Sequence, residues 1–230
     1  RQRQMCIRDR HGNDSKGGPR RPKIIYFIGC NNVRVQDVTL RNSAYWTQDY
    51  EKCNGVIVRG VKVYSHANWN NDGLDIDSRN VVVSDCYIDC DDDALCLKSD
   101  TDTPCENVTV TNCVLKSNCN AIKFGTSSYS GFKNVTISNC TIDRASEDHI
   151  RQWYKNYPWI GTKHKTVVAG IALESVDGGI IENVSISDIA MQGVQTPIFV
   201  RLGDRKRTFS KQMSRINDAV SYTHLTLPTK

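Results

Sequence analysis

No stretch of about 18 apolar residues crosses a membrane here, and no Gly-rich phosphate loop, Ser-His-Asp arrangement or spaced Cys/His zinc pattern announces its chemistry. Charge of one sign is also scarce. The formal net charge is only +5, with Lys and Arg concentrated at the two ends, so the chain lacks the basic stripe of a nucleic-acid partner. Neither a membrane nor a nucleic acid is expected as a partner, and no cofactor or metal is called for. At 230 residues and 39% hydrophobic, the chain is nevertheless long enough to bury a sizeable core.

What is present is a repeat. Val33-Arg34-Val35-Gln36-Asp37-Val38, Val81-Val82-Val83-Ser84-Asp85-Cys86, Val108-Thr109-Val110-Thr111-Asn112-Cys113, Val135-Thr136-Ile137-Ser138-Asn139-Cys140 and Val184-Ser185-Ile186-Ser187-Asp188-Ile189 share one pattern, with a weaker copy at Val56 to Val61. A period of 27 separates Val81, Val108 and Val135, the mark of a solenoid whose units bury their apolar faces only by stacking. Each unit carries a second alternation: Leu74 and Ile76, Leu95 and Leu97, Ile122 and Phe124, Ile171 and Leu173, Ile198 and Val200. Period-2 alternation in short β-branched runs is a strand signal. Leu74, Leu95, Ile122, Ile171 and Ile198 are therefore expected to form one interior stack of a parallel β-helix. Asn32, Asn80, Asn107, Asn134 and Asn183 precede the first strands; asparagine tolerates the left-handed conformation and can bond to its copy on the next coil, so these read as a turn ladder.

Ten cysteines raise the question of disulfides or metal. Cys86, Cys113 and Cys140 occupy one repeat position, 27 apart. Coils about 4.8 Å apart present one such side chain each, which suits a buried thiol stack better than a metal site; neighbours that close could also bridge. The ends depart from the pattern. Residues 1–22 and 208–230 are set apart from a β-helix domain over 23–207, and their segments RQMCIRD and VSYTHLTLPTK resemble translated adapter sequence. The repeat is then expected to be an internal part of a longer protein.

Aligning the second strands by their apolar positions gives the columns that matter. Ahead of the strand stand Asp72, Asp93, Asn120 and Ala169; the first outward position holds Asp75, Cys96, Lys123, Ala172 and Phe199; the next holds Asp77, Lys98, Gly125, Glu174 and Arg201. Asp72 and Asp93 thus face the same way on adjacent coils, with Asp92 beside them. Like charges one rung apart cannot all ionise freely, so one carboxyl should hold a proton while another stays charged, the pairing a glycosidase uses as acid and base. The competing reading is that these aspartates are solvated or bind Ca²⁺.

Asn70-Asn71-Asp72-Gly73, followed 20 residues after Asp72 by Asp92-Asp93, resembles the N-x-D-G and D-D signatures of glycoside hydrolase family 28, the polygalacturonases and rhamnogalacturonan hydrolases. The resemblance covers residues 24 to 203. It implies a right-handed parallel β-helix, hydrolysis of α-linked pectic polysaccharide with inversion, Asp92 as general acid, Asp72 and Asp93 activating the water, and Asn70 supporting the site. It implies equally a secreted or periplasmic protein, expected as a monomer, with a polysaccharide as partner. Two motifs depart from the family. Its G-H-G is Cys119-Asn120-Ala121, so Asn120 replaces the histidine; its R-I-K, which grips the substrate carboxylate, is Ala172-Leu173-Glu174, and Glu174 would repel a uronate. Lys98 and Lys123 are the candidate replacements for carboxylate binding, or else neutralising partners, Lys98 for Asp77 and Lys123 for Asp75.

Between Val135 and Val184 the spacing stretches to 49, and the insertion carries His149, Arg151, Trp153, Tyr154, Lys155, Tyr157, Trp159 and His164. Solenoid insertions project from one face, commonly the binding face, so Trp153 and Trp159 are candidates for stacking on sugar rings, or for pinning the loop to the coils. Trp46, His66 and Trp69 are candidates for the opposite flank. Two other functions remain open: a noncatalytic polysaccharide-binding β-helix, which needs only the aromatic face, and a lyase or epimerase, which needs a base at the C5 proton. A hydrolase needs Asp72, Asp92 and Asp93 open to solvent in a groove.

Overall fold

The structure, a computed structural model, describes residues 21–147, 167–207 and 212–222. Its elements are strands: β1 (Ile25–Ile28), β2 (Asn31–Gln36), β3 (Thr39–Arg41), β4 (Gln48–Arg59), β5 (Lys62–Ser65), β6 (Leu74–Ser84), β7 (Tyr87–Cys90) and β8 (Leu95–Ser99). There follow β9 (Cys105–Thr111), β10 (Val114–Ser117), β11 (Asn120–Ser128), β12 (Phe132–Arg144), β13 (Val167–Ser175), β14 (Ile180–Met191), β15 (Val194–Leu202) and β16 (Arg215–Tyr222). All of them pair in parallel with the coil before or after, which gives a parallel β-solenoid.

Three stacks of strands form its walls. The first runs β1, the start of β4, the start of β6, β8, β11, β13, β15. The second runs β2, the end of β4, the end of β6, β9, the start of β12, β14, β16. The third, shorter in each coil, runs β3, β5, β7, β10 and the end of β12. Four of the expected interior residues, Leu74, Leu95, Ile122 and Ile171, lie in register and are at most 1% exposed. Ile198 keeps that register against Ile171 but is 40% exposed, because β15 is the last described rung of its stack.

Cys86, Cys113 and Cys140 form the second expected stack, buried and reduced, with Ile189 next in the column. The described cysteines are all free thiols. The asparagine corner is present as well. Asn80 Nδ2 donates to Asn54 Oδ1 at 2.7 Å, Asn107 to Asn80 at 3.0 Å, Asn134 to Asn107 at 3.0 Å and Asn183 to Asn134 at 2.8 Å, with the four donors at φ of 51–57°. A second left-handed corner, not foreseen, holds Asp37, Gly60, Asp85, Asn112, Asn139 and Asp188 two residues beyond each Val-x-Val run. Small polar residues with local hydrogen-bonding reach, or glycine, suit both corners for the same steric reason. Two pieces of the segments set apart in the sequence join the solenoid: β16 pairs with β14 over Arg215 to Tyr222, and Arg21 is buried against the first stack.

Candidate active site

The turns ahead of the first-stack strands continue the backbone ladder. Thr47 N donates to Asp72 O at 2.7 Å, Gly73 N to Asp93 O at 2.9 Å and Ala94 N to Asn120 O at 2.9 Å. Asp72, Asp93 and Asn120 therefore stand one above the other on consecutive coils, in the column read from the sequence. Gly73 is needed there by close approach, since a Cβ would lie 2.3 Å from Ile88 Cγ2 and 2.8 Å from Ala94 O. Asn71 ties the two aspartate turns together: its Oδ1 accepts from Asp92 N at 3.0 Å and its Nδ2 donates to Ser65 O at 2.6 Å. Asn70, the residue the resemblance put in that supporting place, instead receives Arg21 Nη2 on its Oδ1 at 3.3 Å. Nothing in the sequence distinguished the two asparagines except their order.

The three carboxyls are buried: Asp72 is 3% exposed, Asp92 7% and Asp93 2%. The open groove expected of a hydrolase is thus a nearly closed depression, in which Asp92 keeps the most access. Two lysines enter it, and their partners differ from those expected. Lys98 Nζ lies 3.1 Å from Asp75 Oδ1 and 3.6 Å from Asp72 Oδ2, with the Trp46 ring centroid 4.2 Å away; Asp77, its anticipated partner, instead accepts from Asp100 N and Thr101 Oγ1. The Lys98–Asp75 contact is close but poorly angled, for neither Asp75 oxygen has a hydrogen-bond partner. Lys123 Nζ meets Asp93 Oδ2 at 2.7 Å, not Asp75, and Asn120 Nδ2 donates to Asp93 Oδ1 at 2.7 Å. A lysine stem spans neighbouring rungs, so register alone does not name its partner.

Environment pushes these acids apart. Burial, reinforced by the charges of Asp72 and Asp93, holds Asp92 well above the ordinary carboxylate range. Burial also pushes on Asp93, but Lys123, Lys98 and the Asn120 amide outweigh it and hold Asp93 below its usual value. Asp72 is raised by burial against the opposing pull of Lys98, and Asp75, with no exposed surface, is raised further. Burial would discharge Lys98 and Lys123; the carboxylates beside them outweigh it and keep both ammoniums charged. Neighbouring carboxyls whose surroundings push them in opposite directions are the kind of pair that can serve as acid and base.

Metal could be held by Asp72, Asp93 and Cys96, or by Asp92, Asp93 and Cys119, whose ligand atoms lie within 4.8 Å of one another. The cationic positions beside Asp72 and Asp93 are already filled by Lys98 and Lys123. Glu174 is half-buried in register with Gly125 and Arg201, raised by burial with Lys123 opposing and Asp93 adding. Along the other flank, the Arg21 guanidinium lies over Tyr45 and Trp69 at 4.8 and 4.4 Å, whereas His66 is buried against Asp89, 3.2 Å away, and lines no open surface. Trp153 and Trp159, with the rest of the insertion, lie outside the described residues.

The model of glycosyl hydrolases family 28 matches residues 6–226. The chain belongs to that family. Among curated proteins it is similar to a probable polygalacturonase of Arabidopsis thaliana, 32% identical over 83 residues, covering 35% of this chain and 18% of that protein. It is likewise similar to a probable polygalacturonase of Vitis vinifera, 29% identical over 84 residues, 36% of this chain and 17% of the relative. Each match therefore spans under a fifth of the relative's length. Among solved structures, a hyperthermoactive exopolygalacturonase from Thermotoga maritima superposes with a TM-score of 0.51 at 19% identity, over 94% of this chain and 60% of that one; at that identity the likeness is one of fold.

Proposed function

We propose that this family 28 chain is a glycosidase that hydrolyses an α-linked pectic polysaccharide with inversion, Asp92 protonating the leaving oxygen while Asp93 and Asp72 activate water. The observation that carries the reading is the unequal surroundings of two adjacent buried carboxyls: Asp93 meets Lys123 Nζ and Asn120 Nδ2, each at 2.7 Å, while Asp92 accepts only from Asp93 N among the described residues, so burial biases Asp92 toward its neutral form and the cation biases Asp93 toward its charged form. Asn120 and Lys123 do for Asp93 what hydrogen bonds and a neighbouring cation do for any carboxylate that must keep its charge. A polysaccharide is too large to enter a cell, which supports a secreted or periplasmic working form.

Spacing alone does not decide the stereochemistry. Oxygens of Asp92 and Asp93 approach within 4.8 Å, tighter than the roughly 6.5 to 9.5 Å between carboxyl groups usual for inversion. The test is therefore product analysis on a pectin panel. Reducing sugar should appear, proton NMR of the first product should show the β-anomer, and Asp92→Asn should lose about 10² to 10⁴ in rate. Its fold should survive, because the amide that replaces the carboxyl has nearly its shape and still accepts from Asp93 N, a bond of 2.9 Å. First release of the α-anomer would mean a covalent intermediate and different roles; unsaturated, ultraviolet-absorbing products would mean a lyase. Asp92→Asn with activity within a few-fold of the parent would remove Asp92 from the chemistry.

A further inference from the structure

We propose that Lys123 is the positioning residue that divides labour between Asp92 and Asp93: its ammonium, reaching over from the next coil, keeps Asp93 ionised and leaves the proton on Asp92. The inference rests on the glycosidase reading and adds what fixes its two roles. Asp92 and Asp93 are neighbours in sequence on one turn and both are buried, Asp93 the more deeply, so burial alone would raise Asp93 at least as much as Asp92. The cation reverses that bias. Lys123 Nζ lies 2.7 Å from Asp93 Oδ2, while among the described residues no ammonium or guanidinium pairs with Asp92, whose carboxyl accepts from Asp93 N.

The placement of Lys123 is built in. In strand register it stands between Cys96 on β8 and Ala172 on β13, both fully buried small residues, so its stem is packed on two sides and its side chain is only 15% exposed. Asn120, three residues earlier on the same strand, closes the other oxygen of Asp93 through both its backbone N–H and its Nδ2. The remaining groups around Asp93 do not supply the charge it needs. Asp72 ahead of β6 and Glu174 on β13 are acidic and bring no positive charge; each is itself pushed upward by the charge of Asp93. Cys90, Cys96 and Cys119 are thiols that burial holds well above their ordinary range, hence neutral. Lys98 on β8 helps from further off, being committed to Asp75 and Asp72.

A substrate clamp at the same place would behave differently, and kinetics separates the two. The parent and Asp92→Asn are first compared on a pectic substrate that the parent cleaves. Lys123→Met, similar in length and without charge, should then move the acidic limb of kcat/KM to higher pH by about 1 to 3 units, the usual effect of removing an adjacent opposite charge, with KM changed less than about threefold. Lys123→Arg should restore the limb. Carbon-13 NMR titration of the aspartate carboxyls, without substrate, should show Asp93 taking up its proton at correspondingly higher pH. Should Lys123→Met fail to fold, Lys123→Gln, which can still donate to Asp93 without a charge, carries the same measurements. A raised KM at unchanged kcat and unchanged pH limb would make Lys123 a substrate clamp and overturn the proposal, as would an Asp93 titration that does not move. A parent that cleaves no pectic polysaccharide overturns the glycosidase reading instead, and the carboxyl titration still decides the role of Lys123.

Discussion

Two walls of one solenoid, built on the same coils, treat their outward residues in opposite ways. On the second stack Val82, Thr109, Thr136 and Ser185 face solvent, as the alternation of a half-buried strand requires. On the middle coils of the first stack the equivalent positions are covered: Asp75 and Cys96 have no exposed surface, and the side chains of Lys98 and Lys123 keep 12% and 15%, whereas Phe199 on the last described rung is 41% exposed. Both walls send the same kind of apolar side chain inward, so the hydrophobic contribution to the fold is alike on each. What differs is that one wall buries charge. Taking carboxylates and ammoniums out of water costs several kcal/mol per ion before pairing offsets it, and a wall serving only as structure needs none of them. The difference is what the proposed acid and base on the first wall would need, since charge in low dielectric strengthens the interactions that tune them.

The comparison can be broken most directly at Lys98. Lys98→Met leaves Asp72 and Asp75 facing each other, buried and without their cation, and should destabilise the chain by about 3–5 kcal/mol, whereas Thr109→Met on the plain wall should stay within about 0.5 kcal/mol. Urea unfolding of the two variants measures both. Adding Asp75→Asn to Lys98→Met should recover much of the loss; equal destabilisation of the single and double variants would show that packing of the lysine stem, not its charge, holds that place.

A smaller effect separates the walls by pH. Burial, with Asp100 N–H and Thr101 Oγ1 opposing it, pushes Asp77 on the first wall from 3.8 up to about 7. A raised carboxyl stabilises the fold through the proton it holds, in full below the unfolded value and progressively less as pH rises through about 7. Thermal unfolding between pH 8 and 4 should therefore show stability gained on acidification, and Asp77→Asn should remove roughly 2–4 kcal/mol of that pH dependence. An unchanged slope in Asp77→Asn would place the titration elsewhere in the acidic column.

Residues whose role is set by the repeat were legible, and those set by side-chain reach were not. Leu74, Leu95, Ile122 and Ile171 declared their stack through spacing alone, as did the three cysteines and the column Asp72, Asp93, Asn120. The second corner of Asp85, Asn112 and Asn139 was visible in the same strings, yet nothing in one sequence says that a residue after a strand turns left-handed. The partners of Lys98 and Lys123 were misassigned because a four-carbon stem can cross to either neighbouring rung, and the position of Lys98 beside Asp75 depends on how the turn carrying Trp46 packs. That Asn71, and not Asn70, meets Asp92 was hidden for a similar reason: adjacent residues point to opposite sides, and only the turn geometry says which side meets Asp92.

The plain wall offers the gentlest test, at its asparagine corner. Asn107 donates from Nδ2 to Asn80 at 3.0 Å and accepts on Oδ1 from Asn134 at 3.0 Å, with φ at 55°. Asn107→Ala removes two solvent-exposed hydrogen bonds, each worth at most about 0.5 kcal/mol there, and puts a Cβ-bearing residue without local hydrogen bonding in the left-handed region at about 1 kcal/mol. The sum is about 1–2 kcal/mol. Asn107→Gly keeps the conformation free of that strain and loses only the ladder, so it should cost less than alanine. Calorimetry of both variants decides between conformation and ladder: equal losses would assign the corner to its side-chain hydrogen bonds alone, and no loss from either would mean that the inward stack of Val81, Val108 and Val135, each 1% exposed, holds the coil without help from the corner, which would sharpen the contrast with a first wall whose outward residues cannot be altered so cheaply.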